Sequence, residues 1–120
     1  MKIQQIANVL TDKGSKYAVS GAQVESRDEV DKVLKKLCQK KKFAKATHNT
    51  WAVIFADGEQ VKDDDGESGA GNIMLKMLDQ AQVHNRLIIV TRWYGGVHLG
   101  ADRFRHVRTC VTTYLNEFCR

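Results

Sequence analysis

At 120 residues, 42% of them hydrophobic and 28% charged, the chain is the size of one domain and can build a single core without staples. A mean hydropathy of −0.41 and the lack of any apolar run near the ~20 residues of a membrane-spanning helix exclude membrane embedding. The start, Met1-Lys2-Ile3-Gln4-Gln5-Ile6, alternates polar and apolar residues unlike a secretory signal, so a cytoplasmic location is expected. Cys38, Cys110 and Cys119 fall at long, irregular spacing with no CxxC pair. That supports neither a disulfide framework nor a zinc site, and reduced, mostly buried thiols are expected.

The net charge of +5 is unevenly spread. Seven lysines and no acid lie between Lys32 and Lys45, six acids and only Lys62 between Asp57 and Glu67, and five arginines with Asp102 between Arg86 and Arg108. The first and third blocks suit a polyanion such as RNA and the second repels one, although a lysine run is also a common solubility device.

In chain order, Ile3 to Leu10 and Lys16 to Val24 alternate loosely around the turn-rich Thr11-Asp12-Lys13-Gly14-Ser15, which predicts a hairpin. Ser26 and Glu29 stand at capping-box spacing, and Val30, Val33, Leu34, Leu37 and Cys38 then form one helical stripe. Thr50 to Phe55 is β-branched and aromatic, and Asp57-Gly58 turns it back into a partner strand through Val61. Ile73, Met74, Met77, Leu78 and Ala81 predict a helix over 70–82, and Leu87-Ile88-Ile89-Val90, without alternation, a central strand covered on both faces. Phe104, Val107, Val111, Tyr114 and Phe118 predict a last helix from about Asp102. The order β-β-α-β-β-α-β-α, over residues 1–120 as a single domain, predicts an α+β fold: two layers, a mixed sheet with helices on one face.

Two glycine-rich junctions are least explained by folding. In the first, Asp63-Asp64-Asp65-Gly66-Glu67-Ser68-Gly69-Ala70-Gly71, glycines precede a helix N-terminus that could cradle an anion, while the carboxylates could hold a hard cation such as Mg²⁺. The acids also complement the helix dipole with no ligand at all. In the second, a buried strand runs into Arg92, Trp93 and Tyr94, turns on Gly95 and Gly96, and re-enters structure through Gly100. Aromatics beside arginine suit a recognition hot spot for a protein or for stacked bases, and equally a cap on the core. No cysteine, serine or histidine spacing pairs a nucleophile with a base and an orienting group, so no catalytic residue, metal or cofactor is assigned and the chain is expected not to be an enzyme.

At these junctions the chain resembles the IMPACT family, which shares a domain with the bacterial YigZ proteins. The matching segments are Lys13-Gly14-Ser15-Lys16-Tyr17, Ala46-Thr47-His48-Asn49-Thr50-Trp51-Ala52, Asp64-Asp65-Gly66-Glu67 with Gly69-Ala70-Gly71, and Val90-Thr91-Arg92-Trp93-Tyr94-Gly95-Gly96 with Leu99-Gly100. Ala101 to His106 is similar to the eukaryotic version, and Ser68 stands where bacterial members tend to carry proline. The resemblance implies a fold like the second domain of ribosomal small-subunit protein five, with a left-handed βαβ crossover. It also implies translational control in the stress response by binding the co-activator of the amino-acid-starvation kinase, with possible actin and ribosome association. The RWD domain tied to co-activator binding in such proteins is absent from these 120 residues. The expected partner-binding residues are Asp64, Asp65, Glu67, Arg92, Trp93, Tyr94, Arg103 and Arg105, carried on the motif glycines Gly66, Gly69, Gly71, Gly95, Gly96 and Gly100. The alternative is a nucleic-acid or ribosome-binding domain of the YigZ type using Lys40, Lys41, Lys42, Arg105 and Arg108. A third, a hydrolase or phosphotransferase, would use the acids with Mg²⁺. The first two readings need residues distant in sequence to meet, and the leading one requires both junctions to form one docking surface.

Overall fold

A computed structural model describes residues 2–119. It comprises β1 (Gln4–Asp12), β2 (Ser15–Gln23), α1 (Arg27–Leu37), α2 (Lys41–Ala44), β3 (His48–Ile54), β4 (Gln60–Asp63), α3 (Ala70–Gln80), β5 (Arg86–Trp93) and α4 (Asp102–Phe118). The β1–β2 hairpin turns on Lys13 and Gly14, both at positive φ (48° and 83°), which matches the twist of the flanking strands. Ser26 caps α1 by accepting from the Glu29 N–H at 3.2 Å, and the Glu29 carboxylate accepts the Glu25 N–H at 2.6 Å. The Asp57-Gly58 turn closes with the Gly58 N–H on the Phe55 carbonyl at 2.9 Å. The turn α2, inside the lysine block, is an element that the sequence pattern does not announce; it forms around Phe43, which is buried.

The five strands form one sheet in the order β1-β2-β5-β3-β4. The α+β class holds, and two details of the expected architecture are corrected. Every strand pair is antiparallel rather than mixed. Helices also cover both faces: α3 and α4 pack with Tyr17, Val19, Ala52, Ile54, Ile88 and Val90, while α1 and Phe43 pack with Ala18, Ala22, Val53, Phe55, Leu87 and Ile89. The reason lies in β5, whose apolar residues point both ways, and one layer of helices would leave Leu87 and Ile89 in water at roughly 1.5–3 kcal/mol each.

The antiparallel order fixes the handedness of the connections. β2 and β3 each pair antiparallel with β5, so they run parallel, and β5 and β4 likewise run parallel on either side of β3. Thus β2-α1-β3 and β4-α3-β5 are both crossovers that skip one strand. Within the sheet plane they are related by a half-turn, but α1 and α3 lie on opposite faces, so the two crossovers have opposite hands and one of them is left-handed. Such a crossover is rare, because a right-twisted strand feeding a right-handed helix favours the right-handed return.

Cys38, expected on the buried stripe, is exposed, because α1 ends at Leu37 and Cys38 is its C-cap. Cys110 is buried on α4, where desolvation pushes its thiol up to about 12, so it is an inert core residue.

Candidate functional site

The site grows from one row of the sheet. Tyr17 on β2 and His48 on β3 both lie opposite Arg92 on β5, and all three side chains share the face covered by α3 and α4. Above this row the two junctions converge. Glu67, just before α3, accepts from Arg92 Nη1 at 3.2 and 3.3 Å, lies 3.7 Å from Arg103 Nη1 in the first turn of α4, and lies 4.0 Å from His48 Nε2. The Glu67 and Arg92 side chains are 2% and 7% exposed, whereas Arg103 is 36% exposed. The pair at the centre is therefore sealed and holds the junctions together; Arg103 is the member that faces water. His48 Nδ1 faces the Asp65 carbonyl at 2.8 Å and so carries the hydrogen there, which leaves Nε2 toward Glu67. Beneath them, burial pushes the Tyr17 phenol up to about 12, keeping it neutral beside the Arg92 guanidinium.

The acidic run is consumed by its own backbone. Asp64 accepts the Gly69 N–H at 3.1 Å, the Gly71 N–H at 2.8 Å and Lys62 Nζ at 3.1 Å, so it caps α3 from five residues upstream. Burial raises its pKa, but these three donors outweigh burial and hold the carboxyl below its ordinary value. Gly71 is required here, since a Cβ would stand 2.6 Å from Asp64 Oδ1. Asp65 accepts the Asn49 N–H at 2.7 Å, and Asp63 accepts the Asp65 N–H at 2.9 Å. No group of three or more histidines, cysteines, aspartates or glutamates among the described residues could hold a metal ion.

Of the expected partner-binding residues, the structure brings Glu67, Arg92 and Arg103 together and turns others away. Trp93 follows Arg92 in a strand and so points to the opposite face, where its ring meets Phe43 edge-on at 5.2 Å and its Nε1–H donates to the Lys42 carbonyl at 2.9 Å. Tyr94 leaves the strand and is 43% exposed, with Val97 at 47%. The Tyr94 ring lies 5.5 Å from that of His98 and 5.9 Å from the Arg92 guanidinium. Gly95 lets this loop touch the hairpin: a Cβ there would lie 2.0 Å from the Gly14 carbonyl carbon. Arg105 is exposed on α4 and pairs with Asp102 at 3.4 Å. Lys40, Lys41 and Lys42 follow α1 on one face of the sheet, whereas Arg105 and Arg108 belong to α4 on the other, so the five do not form one patch. His48 and Tyr17 complete the cluster unforeseen; both sit inside matched motifs, but only strand register shows that they flank Arg92. On α4, one turn beyond Arg103, buried His106 meets Asp12 at 2.7 Å and ties the helix to the hairpin.

The fold and this clamp define a class of small α+β domain in which two glycine-rich junctions, each leading into a helix, are locked on a shared carboxylate. The Impact N-terminal domain pattern matches residues 13–115, a span that contains the whole clamp, and the chain belongs to that family. It is 38% identical over 116 residues to the "Protein IMPACT homolog" of Caenorhabditis elegans, covering 91% of this chain and 45% of the worm protein. Among solved structures, the chain resembles Yih1, described as a two-domain translational regulator, at a TM-score of 0.58 and 34% identity, over 90% of this chain and 44% of that one. A crystal structure of a hypothetical protein shares the fold at a TM-score of 0.78 and 22% identity, covering 98% of this chain and 62% of that one. The chain thus spans less than half the length of the worm protein and of Yih1.

Proposed function

We propose that this domain is a non-enzymatic binding module of a cytoplasmic translational regulator, acting on the co-activator of the amino-acid-starvation kinase and so restraining kinase activation. The observation that carries this reading is the convergence of the two junctions on Glu67, which leaves Tyr94, Val97 and Arg103 on the adjoining surface. A rigid support beneath an exposed aromatic, an aliphatic side chain and an arginine is the composition of a protein hot spot. The buried Arg92–Glu67 pair does not contact the partner; it fixes where Arg103 and Tyr94 stand. The likeness to Yih1, described as a translational regulator, supports a role in translational control; the co-activator as partner is what the family resemblance implies. The test is calorimetric titration of this chain, alone and joined to an RWD domain, against the co-activator. Binding that weakens at least about tenfold, some 1.4 kcal/mol, in Tyr94→Ala/Arg103→Ala is expected. No binding in either form overturns the reading.

A further inference from the structure

The face of the sheet that carries α1 has a second feature, unrelated to the Glu67 clamp. α1 and α2 cover β2, β5 and β3, but β1 runs on beyond them. Two cavities follow its length. One, of about 400 Å³, lies between Ile3, just before β1, Gln5 of β1 and Leu37 at the end of α1. The other, of about 200 Å³, lies between Ala7 and Thr11 of β1 and Trp93. Lys2, Lys36 and Lys40 line the first, Lys16 and Lys42 the second, and among the described residues no acid lines either. Among the described residues, Lys16, Lys40 and Lys42 enter no ion pair; Lys42 lies over the Trp93 ring at 5.0 Å.

From this groove we infer a docking site for an extended, acidic segment of a protein partner, with carboxylates on the lysines and an apolar side chain between Ile3 and Leu37. The charge is one-signed and the floor is aliphatic, which is complementary to such a segment. From Gln4 to Thr11 the strand faces only Gly21 to Lys16 of β2, because a register shift lies between Ile6 and Leu10, so it offers roughly 17 Å, room for about five extended residues. RNA fits less well. Among the described residues the only ring lining either cavity is Trp93, which sits under Lys42 and spends its N–H on the Lys42 carbonyl, so the groove lacks the row of aromatic platforms on which successive bases stack. The chain's own acidic block does not supply the occupant either, because the carboxylates of Asp57, Asp63, Asp64 and Asp65 are held by backbone N–H groups of their own loops and of β3. The groove lies across the sheet from Arg103, so occupation here is independent of the junction surface.

A fluorescein-labelled ten-residue peptide of alternating glutamate and leucine, titrated by anisotropy, tests the site. Saturable binding is expected, weakening as salt rises and at least about tenfold in Lys40→Glu/Lys42→Glu, whose side chains are exposed and leave the core intact. Ala7→Glu, on the exposed floor, is expected to weaken it as well. In the ¹⁵N-labelled domain, shift changes should fall on Ile3 to Thr11 and on the Trp93 indole N–H. The inference is overturned by absence of saturable binding up to about millimolar peptide, by unchanged affinity in both variants, by shifts confined to Tyr94 to Arg103, or by an oligouridylate of equal length binding more tightly than the peptide.

Discussion

Neutralising Glu67 is the sharpest probe of the clamp. In Glu67→Gln the side chain keeps its volume and one acceptor oxygen, but Arg92, 7% exposed and contacted by both Glu67 oxygens, loses its countercharge. Leaving one buried ion unpaired costs about 3–5 kcal/mol, and the retained oxygen places this substitution near the lower end. Arg103, 36% exposed, can turn to water and adds little. For 120 residues the unfolding entropy is roughly 0.25 kcal/mol/K, so a loss of about 3 kcal/mol lowers Tm by about 12 °C. Thermal unfolding by circular dichroism measures it, with urea midpoints as a second reading. Glu67→Leu/Arg92→Met, which removes both charges, should recover much of the loss. A Tm within about 2 °C of the parent, or a deficit that vanishes in ~1 M salt, would show that the pair behaves as a screened surface contact and would refute the clamp.

Two further outcomes follow from the same geometry. Asp64→Ala should cost about 1 kcal/mol at neutral pH by uncapping α3. Because the folded Asp64 carboxyl titrates below its ordinary 3.8, its contribution is present above that value and lost as pH falls through the folded pKa; urea midpoints measured from neutral to acid pH should therefore converge for parent and variant, and parallel curves would contradict the capping role. Gly95→Ala forces a Cβ to within 2.0 Å of hairpin backbone and should cost more than about 3 kcal/mol, whereas Gly96→Ala, at φ +95° with open space around it, should cost only about 1 kcal/mol; equal losses would dismiss the close approach.

Local chemistry made much of the fold legible. The Ser26–Glu29 cap, the Asp57-Gly58 turn and the unbroken Leu87 to Val90 run each act over a few residues, and each produced the element it predicted. The same central run, apolar on both sides, already contradicted helices on a single face. The junctions could be marked by their glycines, but the partners within them could not. Arg92 and Glu67 are 25 residues apart, and Tyr17 and His48 reach Arg92 only through strand register. Two adjacent residues, Arg92 and Trp93, carry the lesson most plainly. The sequence offers both as neighbours in one motif, yet strand alternation sends the guanidinium to the clamp under α3 and α4 and the indole to the groove beside α2. Apart from the short α2, the sequence by itself determined which segments become helix, strand and turn, since those choices depend on backbone preference and short-range periodicity. Tertiary structure alone decided which charges are sealed and which face water, because that depends on contacts between segments whose order in the sheet no local signal encodes.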